Sequence, residues 1–106
     1  MNISIKGTNL DLTSSIKEFI EEKIGSLHKF IGKTELEEDV KVFVEIARTT
    51  RHHAKGEVFY AEATMHMHTH TFRAEDTSED IRVSINNVRH KLEEQIKKHR
   101  DAHLSS

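Results

Sequence analysis

The sequence predicts an α+β fold: one β-α-β-β-β-α domain with a four-stranded mixed sheet and both helices on one face. Three observations predict it. Apolar residues alternate with polar ones in four short runs, the period of half-buried strands. In two longer runs they recur at helical spacing instead. Each strand run has only one apolar face to bury, so both helices must cover the same side of the sheet.

The elements follow in order along the 106 residues. "NISIK" alternates, with Ile3 and Ile5 on one face, and reads as the first strand. Thr13 or Ser14 then caps a helix whose stripe is Ile16, Phe19, Ile20, Ile24, Leu27 and Phe30 or Ile31, with Gly32 as its stop. The acidic "ELEED" is a loop, and "VKVFVEIAR" is a second strand burying Val40, Val42, Val44 and Ile46. "TTRHHAKG" is a polar connection. A third strand, "EVFYAEATMHM", turns Phe59, Ala61, Ala63, Met65 and Met67 inward, and a short fourth, "HTFRAEDT", turns in Phe72 and Ala74. Thr77 or Ser78 caps the final helix, whose stripe is Ile81, Ile85, Val88, Leu92, Ile96 and His99. A right-handed crossover makes the first two strands parallel, and two tight connections add the antiparallel pair. The uncovered face then carries Lys41, Phe43, Glu45, Tyr60, Glu62, Thr64 and His66.

Composition excludes several classes. Hydrophobic residues make up 35% of the chain and charged residues 32%, which suits one modest core under a charged surface. No stretch reaches the ~20 apolar residues of a membrane span, and the N-terminus lacks the apolar region of a signal peptide. With no cysteine there is neither a disulfide framework nor a thiolate site. A cytoplasmic protein is the simplest reading. There is no glycine-rich phosphate loop and no nucleophile elbow, so neither an enzyme nor a small-molecule substrate is expected.

Nine histidines raise the question of a metal, above all in "TMHMHTH", where His66, His68 and His70 fall at every other position. Met67 and Phe72 both face inward yet differ by an odd number of positions, so the chain must turn between them. His66 then lies on the open face while His68 and His70 lie in or beside the turn. The imidazoles need not converge, and no carboxylate or cysteine lies nearby in sequence to complete a site. No metal and no cofactor are expected.

Charge is distributed unevenly around a net −2. Arg48, Arg51 and Lys55 fall in a stretch with no acid. Between Arg89 and Arg100 the final helix sets Arg89, Lys91, Lys97, Lys98 and Arg100 against Glu93 and Glu94. The first helix region adds Lys17, Lys23, Lys29 and Lys33 against Glu18, Glu21 and Glu22. Compensating acids elsewhere cluster in "ELEED" and "EDTSED". Local basic faces on a nearly neutral chain suit a phosphate backbone held in a defined orientation. Lys91 and Lys98 both read as exposed, so their replacement is expected to leave stability nearly unchanged.

The element order, "NISIKGTNLDLTSSIKEFIEEKI" and above all "SINNVRHKLEEQIKKHRD" resemble the ribosome hibernation-promoting factors, also known as ribosome-associated inhibitors or translation inhibitor protein Y. Lys91, Leu92, Gln95, Ile96 and Lys98 fill the family's K-L-x-x-Q-[LI]-x-K pattern, and Glu18, Phe19 and Lys23 match its first helix. Two places depart from that pattern. Arg82 to Asn86 stand where members often have a Tyr-Ala-Ala-Ile-Asp-like run, and Glu94 stands at a position that is frequently basic.

The resemblance implies a translation silencer of resting or stressed cells that occupies the mRNA and tRNA channel of the small ribosomal subunit. It implies contact with 16S rRNA and neither cofactor nor catalysis. By position, Lys23, Lys91, Lys98 and Arg100 would contact rRNA phosphates; local charge adds Lys29, Arg51, Lys55, Arg89 and Lys97. The fold is also similar to double-stranded RNA-binding domains, which read RNA shape and backbone. Residues 1–104 would form the ribosome-binding domain and 105–106 a short tail, as in the short members, and the chain would be monomeric off the ribosome. The alternative is a free-standing RNA-binding or sigma-factor-modulating regulatory module.

Overall fold

The computed structural model describes residues 1–31, 40–49, 58–67 and 70–104. Its elements are β1 (Asn2–Thr8), α1 (Ser14–Gly25), a 3-10 helix at Ser26–Phe30, β2 (Lys41–Thr49), β3 (Val58–His66), β4 (Thr71–Ser78) and α2 (Ile81–Leu104). The sheet order is β1-β2-β3-β4. β1 and β2 run parallel, and the other two pairs are antiparallel. This is the expected mixed sheet.

Strand register builds the inner face in rows. Ile3, Val42, Met65 and Phe72 form one row across the four strands, and Ile5, Val44, Ala63 and Ala74 the next. Ile16, Ile20, Ile24 and Leu27 close over them from one side and Ile85, Val88, Leu92 and Ile96 from the other, in a single buried cluster. α2 lies over β3 and β4, while α1 packs against β1 and α2. The three alanines of β3 and β4 have no bulk to hold α2 away. Both helices therefore share one face, because only that face is apolar.

Thr13 caps α1 as expected, its hydroxyl accepting from the Ile16 N–H at 3.2 Å. The end of α1 differs from expectation. The α-helix stops at Gly25 and the chain tightens into the 3-10 turn, which carries Leu27 into the core. Gly25 is a poor helix former, and the Ser26 hydroxyl donates back to the Lys23 carbonyl at 2.7 Å. Gly32 and "ELEED" lie outside the described residues.

The start of α2 is also corrected. Thr77 and Ser78 belong to β4. The Asp80 carboxylate takes the capping role, accepting from the Arg82 N–H at 2.8 Å. Asp competes well for this position because its short carboxylate reaches the unpaired amides of the first turn. Ser84, fully buried, donates its hydroxyl to the Ile81 carbonyl at 2.8 Å.

β3 ends at His66, so Met67 lies outside the strand and is half-buried rather than enclosed; its N–H donates to the His70 carbonyl at 2.9 Å. That turn sets Met65 opposite Phe72. Near the end of β1, Gly7 is required by close approach, since a Cβ there would lie 2.9 Å from the Leu10 carbonyl oxygen. Among the described residues, no helix is long and apolar enough to cross a membrane.

Candidate nucleic-acid interface

The outer seam between α1 and α2 gathers cations around two phenylalanine rings. Phe19 and Phe30 lie half-buried where the helical stripe meets solvent. The Lys23 ammonium sits 5.5 Å from the Phe19 ring centre, and the Arg82 guanidinium lies 5.4 Å from it. Around Phe30 are Lys97 at 5.0 Å, Lys29 at 5.3 Å and Arg89 at 6.0 Å. Each ring presents a negative quadrupole to these charges and helps to hold them.

Hydroxyls and one acid fix the cations further. Arg82 donates to the Ser15 hydroxyl at 3.1 Å, and Arg89 Nε donates to the Ser26 hydroxyl at 2.9 Å, each bond bridging the helices. Glu93 accepts from Arg89 at 2.8 Å and from Lys97 at 3.0 Å. The Lys97 hydrogen bond, then that of Arg89, holds the Glu93 carboxyl below the usual carboxylate range, while partial burial opposes the shift. Among the described residues, no other carboxylate pairs with Lys23, Lys29, Arg82, Arg89 or Lys97. The seam therefore keeps an excess of positive charge, held in place at its base and open outward.

Four of the residues expected from sequence meet here: Lys23, Lys29, Arg89 and Lys97. Others stand apart. Lys91 lies at the edge of β4, where its ammonium donates to the Glu75 carbonyl at 2.8 Å and pairs with Asp76 at 3.3 Å. Gln95 donates to the neighbouring Arg73 carbonyl at 2.8 Å. These two side chains occupy backbone acceptors of an edge strand, the groups through which sheets otherwise pair with other chains. Lys98 is exposed on α2 and has no ion pair among the described residues, and Arg100 lies 3.9 Å from Asp101. Arg51 and Lys55 lie outside the described residues.

Three seam residues escaped the sequence reading as binding residues. Phe19 and Phe30 read as core, and Arg82 as a departure from a pattern. The spacing held a signal nonetheless. Arg82, Arg89, Glu93 and Lys97 fall at i, i+7, i+11 and i+15, one face of a helix.

The histidines diverge around the hairpin. His66 lies on the open face, its ring edge-on to Phe43 at 5.7 Å. His70 lies against α2, stacked on His99 at 4.3 Å and close to Phe72 at 4.6 Å. His68 lies outside the described residues. Among the described residues, no three potential metal ligands come together.

A helix-lined sheet with a cationic, aromatic-backed seam defines an α+β domain suited to holding a phosphate polymer. Residues 3–103 match the family described as Sigma 54 modulation protein / S30EA ribosomal protein, and the chain belongs to that family. It is 36% identical over 100 residues to a ribosome hibernation promotion factor of Lactococcus lactis subsp. cremoris (strain MG1363), covering 94% of this chain and 50% of that protein. A ribosome hibernation promotion factor of Staphylococcus aureus (strain COL) is 29% identical over 100 residues, covering 94% and 48%. The chain thus spans about half the length of these curated relatives. The resemblance to hibernation-promoting factors is borne out.

Solved structures share the fold. The Thermus thermophilus Protein Y N-terminal domain aligns with a TM-score of 0.70 at 22% identity, covering 93% of this chain and 99% of that one. A ribosomal subunit interface protein from Coxiella burnetii aligns with a TM-score of 0.74 at 20% identity, covering 95% and 99%.

Proposed function

We propose that this chain is a ribosome-binding translation silencer of the cytoplasm, acting in resting or stressed cells. It occupies the mRNA and tRNA channel of the small subunit and holds 16S rRNA by its phosphates. The observation that carries this reading is the α1–α2 seam, where Lys23, Lys29, Arg82, Arg89 and Lys97 surround Phe19 and Phe30 with Glu93 as their one paired acid among the described residues. The hibernation names of the curated relatives support it.

Mechanistically the chain works by occupancy. Counterions leave the rRNA as the seam cations replace them, which supplies affinity without reading sequence. The rings and hydroxyls pre-order those cations, so little side-chain freedom is lost on binding. Lys98 and Arg100 add positive charge from α2, Lys91 contributes charge from the β4 edge, and Arg51 and Lys55, outside the described residues, are further phosphate contacts in this reading. No cofactor and no catalytic step enter.

Sucrose-gradient sedimentation with purified ribosomes at low and high salt, alongside cell-free translation, tests the reading. Wild-type protein should travel with small subunits and inhibit translation, and Lys23→Glu/Lys97→Glu should do neither. Wild-type protein remaining at the top of the gradient at low salt would overturn it. The family description also names sigma-54 modulation, and that outcome would favour a regulatory module acting away from the ribosome.

A further inference from the structure

The sheet face opposite the helices is divided by its register into two unlike halves. One row across the strands is Lys6, Glu45, Glu62 and Glu75, three acids side by side. The adjacent rows are Ser4, Phe43, Thr64, Arg73 and then Asn2, Lys41, His66, Thr71, without a single acid. In this acid-free half, Phe43 is 52% exposed on a central strand. Its flanking partners, Ser4 and Thr64, are small, and the His66 ring lies 5.7 Å from it with the two planes at 73°. Lys41 lies two residues away on the same strand, exposed and with no side-chain partner among the described residues. Arg73 closes the row at β4, its guanidinium shared with Glu62 and Glu75 at 3.0 Å each.

We propose that this half of the sheet is a second RNA-contact surface, which seats an unpaired base of a single-stranded segment on Phe43 with its phosphates toward Lys41 and Arg73. The choice of polymer rests on the RNA-binding reading above. An exposed ring on a sheet costs solvation unless something covers it, and bases stack on aromatic rings irrespective of sequence. The two halves set the direction of the strand. Phosphates are drawn to the acid-free rows and repelled from the Glu45–Glu62–Glu75 row, so the track stays within one side of the face. The seam and the platform face opposite ways, so one chain can touch two RNA elements at once.

Fluorescence anisotropy with labelled decauridylate at low salt tests the proposal. Phe43→Ala should weaken binding by between about fivefold and a hundredfold, as loss of a base–aromatic stack does, and Phe43→Tyr should stay within about twofold of wild type. Because Phe43 packs beneath no helix, an unchanged thermal midpoint verifies that the Ala variant is folded. Equal affinity of Phe43→Ala and wild type overturns the proposal. So does absence of decauridylate binding by protein that still sediments with ribosomes, a result that leaves the ribosome reading intact. Phe43-dependent binding by protein that does not sediment with ribosomes upholds the platform and sinks the ribosome reading. A photo-crosslinker at position 43 that captures rRNA supports the platform, whereas capture of a ribosomal protein alone overturns it.

Discussion

The Lys91 ammonium donates to the backbone carbonyl of Glu75 at 2.8 Å, and so joins α2 to the free edge of β4. Gln95 repeats the contact one turn later on the Arg73 carbonyl. The K-L-x-x-Q segment thus has an architectural use besides its charge. Lys91 and Lys98, which read alike in sequence, differ here. Lys91→Ala should cost about 1 kcal/mol, the net worth of a hydrogen bond tempered by a side chain 49% exposed. That corresponds to a fall of roughly 4–8 °C in Tm. Lys98→Ala should leave Tm unmoved. Thermal unfolding of the two variants decides, and equal midpoints would show that the edge contact is worth nothing in solution.

Each seam cation should act as a phosphate neutraliser. Removing Lys23, Arg82 or Lys97 singly should reduce the slope of log affinity against log salt by roughly 0.7–0.9 per residue for rRNA. Arg82 is the discriminating case, because among the described residues it joins the seam through Phe19 and Ser15 alone. Ribosome binding measured across a salt series checks this. A slope unchanged in Arg82→Ala would remove that end of the seam from the interface.

Much of the fold was legible because it follows from local periods. Val42, Val44, Ile46 and Ile85, Val88, Leu92 repeat at the spacing of their elements, and burial follows spacing. The end of α1 was not legible, since the apolar stripe continues through Leu27 and Phe30 in a 3-10 turn as it would in an α-helix. The Asp80 cap was obscured by two other capping residues just before it. At the site, charge on each helix was readable, but the meeting of Lys23 with Arg82 across Phe19 is a contact between distant segments. No local pattern encodes it.

Packing separates the two helix stripes. Leu92 is fully buried, so Leu92→Ala should cost ~2–5 kcal/mol. Phe19 lies at the margin of the core beneath Lys23 and Arg82. Its removal should cost less, about 1–2 kcal/mol, because part of its surface is already wet. The same change should loosen two cations, so Phe19→Ala should weaken ribosome binding more than its modest stability loss suggests. Urea unfolding and ribosome binding of both variants test this together. A Phe19→Ala variant as unstable as Leu92→Ala would place that ring inside the core instead.

Titration of the open sheet face gives a prediction at each end of the pH scale. The Tyr60 hydroxyl lies 2.6 Å from Glu75 and 2.5 Å from Glu62, and Arg73 bridges the same two carboxylates. The hydrogen bond from Tyr60, then that from Arg73 and its charge, holds the Glu75 carboxyl below the ordinary value of 4.5. A carboxyl with a lowered folded-state pKa contributes stability that is present above its unfolded value and is lost as pH falls through the lowered one. Stability should therefore decline below about pH 4.5, and Glu75→Gln should flatten that decline. Glu93, held low by Lys97 and Arg89, adds a second share that Glu75→Gln leaves in place. Tyr60 is displaced in the opposite sense. Burial first, then its two carboxylate neighbours, push its phenol well above the ordinary 10.0. A raised folded-state pKa contributes stability that is full below pH 10.0 and is lost as pH rises beyond it. Tyr60→Phe cannot ionise, so the gap between it and wild type should narrow steadily above that pH. Alkaline effects that do not involve Tyr60 act on both proteins and cancel in the comparison. Urea midpoints of wild type, Glu75→Gln and Tyr60→Phe from pH 3 to 11 carry the test, and curves parallel at both ends would mean that the Tyr60–Glu62–Glu75–Arg73 cluster does not persist in solution.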